Sequence, residues 1–353
     1  MSTGTVDVHA HHVGADAIER IRDEGADHGV RLVTHEADTR IEVAGRLSGQ
    51  PLFSRLGDVR ARLSWMDAEG IDVQLVSSWM DLSGYDLDGP SGRWLAGIQN
   101  DSVSALAAAH PDRFRAAAAV PLQQPDLAVR ELRRAVTDLG HEAVQIGARV
   151  NDLGLDDSSL EVFWDAVEGF DIPVIVHPAG LDVPERIRRL FLYNLVGNPS
   201  ETTFAAAALL LGGVLERHPR LRVLLVHGGG FIPYQIGRLD RGFVAAPPAI
   251  RPRGTRGPRQ LLDQLYFDSV LHDAGALRHL VNFAGAGHVL LGSDYPFAMG
   301  LDHPVEALDA AEPDRSERET ILGGAGPFGG VSLANRSTRS APPRRVPGER
   351  WTA

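Results

Sequence analysis

Two kinds of hydrophobic pattern alternate along most of this chain. Short β-branched runs predict strands, and between them lie longer Ala-, Leu-, Arg- and Glu-rich stretches with apolar residues at helical spacing. Eight runs read as strands: V-D-V-H (6–9), D-V-Q-L-V-S-S (72–78), R-F-R-A-A-A-A-V-P-L (113–122), A-V-Q-I-G-A (143–148), I-P-V-I-V-H-P (172–178), R-V-L-L-V-H-G (222–228), L-Y-F-D-S-V (265–270) and H-V-L-L-G-S-D (288–294). Helical patterns occupy 59–70, 127–140 and 160–168. Strands joined by helical crossovers imply a parallel sheet, and eight β-α repeats are the count that closes a TIM barrel. The predicted fold is therefore α/β, a (β/α)8 TIM barrel forming one domain over residues 1–334.

Two segments break the alternation. Residues 14–57 are too many for an ordinary loop and predict an insertion between the first strand and first helix, lying over the barrel mouth. From Asn335 to Ala353 the chain is rich in Arg, Pro and Ser without an apolar period, which predicts a disordered tail.

Composition narrows the chemistry. Of 353 residues 43% are hydrophobic and 23% charged, as in a soluble globular protein. No apolar run approaches the ~20 residues of a membrane span, and the start carries no signal-peptide pattern, so the expected location is cytoplasmic. A net charge of -11, from 35 basic against 46 acidic residues, argues against nucleic-acid or anionic-membrane surfaces. A small-molecule substrate fits better. There is no Cys, which excludes thiol nucleophiles and thiolate metal sites, and every basic residue is Arg, which excludes Schiff-base and carbamylated lysines.

The histidines then gain meaning. TIM barrels carry their chemistry at the C-terminal ends of strands. His9 and His11 end the first predicted strand, His177 the fifth, His227 the sixth and Asp294 the eighth. Alternate residues of a strand share a side, so His9 and His11 converge while Ala10 turns away. Any one of these residues has an ordinary explanation in a packed strand or a capped turn. Together, an H-x-H pair, a third His and one Asp supply nitrogen and oxygen ligands for a single divalent ion.

V-D-V-H-A-H (6–11), V-I-V-H-P (174–178), V-H-G-G-G-F (226–231) and L-L-G-S-D-Y-P-F (290–297), in this order, resemble the amidohydrolase superfamily. Within it the similarity is to the branch of aminocarboxymuconate semialdehyde decarboxylase and related nonoxidative decarboxylases. The resemblance runs from residue 6 to about 324 and implies one divalent ion per subunit, Zn or in some relatives Mn, held by His9, His11, His177 and Asp294. It makes His227 the unliganded catalytic histidine. It also implies a homodimer in which Arg238, in I-G-R-L-D, reaches the neighbouring active site.

The chemistry expected of these parts is nonoxidative decarboxylation of a hydroxylated aromatic or unsaturated acid. A divalent ion orients a hydroxyl or carboxylate, while Asp294 delivers a proton to carbon and His227 polarises or relays. The same parts can hydrolyse or hydrate a lactone, amide or ring-cleavage product.

Departures from the decarboxylase pattern bear on the substrate. Gln50, in G-Q-P-L-F, stands where the muconate decarboxylase has an Arg, and a neutral amide does not replace a bidentate guanidinium. Asn194 replaces a pocket aromatic. Arg149, ending the fourth strand, is the candidate replacement for binding a carboxylate or phenolate, with a surface salt bridge as the alternative. Trp79 and Tyr85, after the second strand, are candidates for stacking on a ring. His12 and His272 are candidates for orienting the ligands. Gly228 to Gly230 suggest close backbone approach, since their spacing is not that of a phosphate loop. Pro327 and its neighbouring glycines disfavour the helix with which relatives continue after I-L-G-G.

Overall fold

The computed structural model describes residues 4–36, 38–179, 185–324 and 328. The predicted tail from Asn335 and the Pro327 segment lie outside the described residues. In chain order the strands are β1 (Val6–His12), β2 (Val30–His35), β3 (Asp38–Val43), β4 (Arg46–Leu47), β5 (Val73–Ser78), β6 (Phe114–Ala118), β7 (Ala143–Gly147), β8 (Val174–His177), β9 (Val223–Leu225), β10 (Leu265–Asp268) and β11 (Val289–Leu290). Eight of them form one sheet, ordered β1-β5-β6-β7-β8-β9-β10-β11 with parallel pairing. Backbone bonds from Val8 N to Leu291 O (2.9 Å), His11 N to Tyr295 O (2.7 Å) and Asp294 N to His9 O (2.8 Å) join β1 to the chain after β11. These bonds close the ring, and the (β/α)8 barrel stands as expected.

The helices Val59–Glu69, Pro125–Thr137 and Glu161–Phe170 match the helical periods. Their starts are chemically marked. Asp58 caps the first through Ala61 N (2.9 Å), and Pro125 opens the second, where no amide is needed.

Side-chain alternation divides the core into two layers. Val6, Val8, Leu75, Ala117, Ala143, Ile175 and Leu224 pack together along the barrel axis. Val144, Ile146, Val174 and Val176 turn outward against Phe163, Trp164 and Leu209 of the helices. In β1 the alternation is interrupted: Asp7 pairs with Gln74 but Ala10 with Val76, so β1 advances three residues while β5 advances two. This bulge lets Val6 and Val8 fill the barrel and His9 and His11 face the same axis one level higher.

Residues 14–57 are more ordered than a loop. They hold the helix Ala15–Glu24 and an antiparallel sheet β2-β3-β4 that the strand search did not single out. Ile21, Val30, Ile41 and Val43 pack there against Leu82, Leu87 and Leu95. The segment then brings Gly49 and Gln50 to the wall of the cavity at the C-terminal ends of the strands.

Candidate metal centre

His9 and His11 from β1, His177 from the end of β8, His227 after β9 and Asp294 after β11 meet at the C-terminal end of the barrel. His9 Nε2 lies 3.1 Å from His11 Nε2. Asp294 Oδ1 lies 3.2 Å from His11 Nε2 and 3.4 Å from His9 Nε2, and its Oδ2 lies 3.8 Å from His227 Nε2. The His177 ring centre is 5.2 Å from that of His9, 4.9 Å from His11 and 5.3 Å from His227. His9, His177, His227 and Asp294 each offer one ligand atom within 4.8 Å of the others.

The far side of three rings is pinned. His9 Nδ1 meets Asp268 Oδ2 at 2.6 Å, His11 Nδ1 meets the Ser78 carbonyl at 3.0 Å, and His177 Nδ1 meets the Pro178 carbonyl at 2.7 Å. An acceptor at Nδ1 places the proton there and turns the Nε2 lone pair toward the centre. His227 differs, because its buried Nδ1 has no hydrogen-bond partner among the described residues.

Charge reinforces this arrangement. Burial pushes the His177 ring well below the usual imidazole range, and the charges of His11, His9 and His227 push it further. Burial also lowers His11. Burial opposes a charged His9, but Asp294 and Asp268 outweigh it and raise its pKa. Asp294 is pushed up by burial and more strongly down by His9, His11 and His227, and ends well below the usual carboxylate range. The fold thus sets the neutral imidazoles of His11 and His177 beside an ionised carboxylate.

This donor set fits a divalent ion. Among the described residues His177 Nε2 and Asp294 Oδ1 are buried without a hydrogen-bond partner, and the His9 and His11 Nε2 atoms lie 3.1 Å apart. Such groups are costly unless a cation or proton lies between them.

Below the cluster, the β1 bulge is locked by polar groups that sequence reasoning missed. Asp7 accepts from His9 N (3.1 Å), Gln74 Nε2 (2.8 Å) and Ser293 Oγ (2.6 Å). Arg62, fully buried, donates to the His11 carbonyl and to Gln74 Oε1 (3.1 Å), with its guanidinium 4.5 Å from the centre of the Tyr295 ring. Asp268 was also missed, although it ends an apolar strand as the histidines do.

A cavity of about 390 Å³ opens onto His177, His227 and Asp294. Trp79, Gln50, Asn194 and His272 line it as well. Trp79 is nearly buried, and its ring lies 5.8 Å from Phe297, itself 5.3 Å from His11. Gly228, Gly229 and Gly230 all have positive φ, and a Cβ on Gly230 would lie 2.2 Å from the Pro199 carbonyl, the close approach expected.

A match to the family model described as amidohydrolase spans residues 6–325. The chain belongs to the amidohydrolase family. A 2-amino-3-carboxymuconate-6-semialdehyde decarboxylase of Dictyostelium discoideum is 34% identical to this amidohydrolase over 77% of the chain and 76% of that protein. A gamma-resorcylate decarboxylase of Rhizobium radiobacter is 32% identical over 81% of the chain and 94% of that protein. Among solved structures, a 2,6-dihydroxybenzoate decarboxylase from Rhizobium superposes with a TM-score of 0.71 at 25% identity, covering 91% of this chain and 96% of that one.

Other sequence candidates fall elsewhere in this amidohydrolase. Arg149 lines a separate cleft of about 180 Å³, where it pairs with Glu201 at 3.3 Å and donates to the Asn151 carbonyl. The salt-bridge alternative describes its position. Tyr85 lines that same cleft, and its hydroxyl accepts from Gly147 N at 3.0 Å, so its ring is packing rather than a cavity wall. Arg238 is exposed on the helix Ile232–Ala245. His12 is buried, and burial first lowers it to about 4. Neither His12 nor His272 is hydrogen-bonded to a cluster histidine among the described residues. Asp268 and two backbone carbonyls hold the orienting positions instead.

Proposed function

We propose that this chain is a metal-dependent nonoxidative carboxy-lyase acting on a hydroxylated aromatic or unsaturated carboxylic acid. The observation that carries the reading is the convergence of His9, His177, His227 and Asp294 within 4.8 Å of one another, with His11 beside His9, where His177, His227 and Asp294 line a cavity at the C-terminal barrel mouth. Membership of the family and the decarboxylase activity named for its relatives support the choice of reaction.

His9, His11, His177 and Asp294 are assigned as the ligands, because the three rings have Nδ1 occupied and Nε2 directed inward. A bound divalent ion supplies positive charge that holds the substrate's carboxylate or adjacent hydroxyl and offsets charge developing on it. We assign zinc, with manganese as the alternative. His227 is left to act on protons, since no hydrogen bond among the described residues pins its Nδ1. It stands 3.8 Å from Asp294 Oδ2 and can pass a proton to that carboxylate. In the reaction the ring carbon gains this proton, the bond to the carboxylate carbon breaks, its electron pair returns to the ring system, and CO2 leaves. Asp294 does not rest as an acid at neutral pH, so its delivery of the proton follows transfer from His227.

A homodimer is part of the proposal. Tyr234 (81% exposed) and Val244 (74%) leave large apolar surface on the helix that carries Arg238. Sedimentation tests it. A cytoplasmic location is also proposed, and cell fractionation tests it.

The deciding experiment incubates the metal-loaded protein with hydroxybenzoates, carboxymuconates and lactones and weighs the products by mass spectrometry. Loss of CO2 is expected. Gain of water in its place assigns the site to hydrolysis or hydration. Asp294→Asn is expected to abolish turnover, and full activity in that variant overturns the site assignment.

A further inference from the structure

The cavity wall carries a second carboxylate that the reaction does not use. Asp81 follows β5 in a short helical turn, Met80–Leu82, and lines the cavity with Gly49 and Tyr193. Its Oδ2 accepts from Gly49 N at 2.6 Å, and its other oxygen has no hydrogen bond among the described residues. Among the described residues it has no hydrogen bond to the histidine cluster. Among the described residues lining the cavity none is an arginine, and Gln50 and Asn194 are neutral. Arg40 and Arg46 act on Asp81 from outside the lining, where Arg40 donates to the Ser48 carbonyl (2.7 Å) and Arg46 pairs with Asp86.

A substrate acid brings one negative charge to a centre that already holds Asp294. The assigned divalent ion offsets those two charges. A second substrate carboxylate beside Asp81 meets a like charge with no arginine among the described lining residues to oppose it, in a setting partly screened from water. A hydroxyl or amino group there donates to the free Asp81 oxygen instead. Burial raises the Asp81 pKa, so a neighbouring donor relieves the carboxylate and a neighbouring anion burdens it further. Space is not the constraint, since a cavity of roughly 150 Å³ already takes benzene and this one has about 390 Å³.

We infer that Asp81 selects a monocarboxylic aromatic acid bearing a hydroxyl or amino donor and rejects the matching dicarboxylic acid. The inference rests on the carboxy-lyase reading for the reacting carboxylate, and it adds what the remainder of the substrate must offer.

Equilibrium binding to the metal-loaded full chain tests it. Calorimetry compares 3-hydroxybenzoate with isophthalate and 4-hydroxybenzoate with terephthalate, pairs that differ only in hydroxyl against carboxylate. The wild-type protein is expected to bind the hydroxy acid at least tenfold more tightly in one pair or both. Asp81→Asn keeps a carbonyl for the Gly49 amide and is expected to bring that pair within threefold by tightening the diacid. Diacids bound as tightly as hydroxy acids by the wild type overturn the inference, as does an undiminished preference in the variant. The wild-type ratio decides alone if the variant does not fold. CO2 release is assayed separately on the same samples. Its absence sinks the carboxy-lyase reading and leaves the binding selectivity standing.

Discussion

His9 Nδ1 and Asp268 Oδ2 lie 2.6 Å apart with both side chains buried, at positions 259 residues apart in the chain. Burial pushes Asp268 up, but its bond to His9 and the charges of His9 and His227 bring it below the ordinary carboxylate value. Asp268 also accepts from Gly228 N at 2.8 Å, so it ties the ring to the glycine turn after β9. Such partners typically change metal affinity ~10–100-fold when removed. Asp268→Asn is expected to weaken Zn or Mn binding within that range, read by competition with a chromophoric chelator. Unchanged affinity would show that the pair only packs.

His11 and His227 are the two rings whose roles geometry separates least. Each lies beside Asp294, at 3.2 Å and 3.8 Å respectively, and only His11 has its Nδ1 engaged. His11→Asn is expected to lose bound metal. His227→Asn is expected to keep it while kcat falls ~10²–10⁴-fold, the range for a general acid or base. Elemental analysis of the purified variants separates the cases, and metal loss on the His227 substitution would move it into the ligand set.

Arg62 supports the bulge that aims His9 and His11. Burial lowers its guanidinium pKa to about 10, which leaves it charged at neutral pH. Arg62→Ala strips partners from the His11 carbonyl and Gln74 and opens a cavity under Tyr295. A loss of about 3 kcal/mol is expected from unsatisfied polar groups and lost packing. The urea midpoint measures it, and a midpoint equal to wild type would contradict this account.

His141, before β7, gives the molecule an acid-sensitive point far from the metal cluster. Burial holds its pKa down to about 4, and its Nε2 lies 3.2 Å from the Asn100 carbonyl. The unfolded chain, with a pKa near ~6.5, binds the proton first as pH falls. Stability from this group is therefore complete above about pH 6.5 and is lost toward about pH 4, with about 2 kcal/mol gone between about pH 7.5 and 5. In His141→Gln the fall in urea midpoint across that interval is expected to shrink. An equal fall in both proteins removes His141 as its cause.

The sequence by itself determined the eight barrel strands and the placing of His9, His11, His177, His227 and Asp294 at their ends. Strand period and apolar runs are local properties, and a parallel barrel puts every strand's C-terminal end on one face. D-T-R-I-E-V, with Ile41 and Val43 buried, carried a legible strand alternation for β3, yet its pairing into a sheet inside the insertion required partners on both sides. Only the tertiary structure decided the β1 bulge, because one extra residue in β1 is defined by its register against β5. Only it decided that Arg149 turns to Glu201 in another cleft while Asp81 faces the cavity. Asp268 finds His9, and Arg62 the His11 carbonyl, across a closed ring of strands. Such contacts come from packing between distant segments, and no local pattern of polar and apolar residues specifies them.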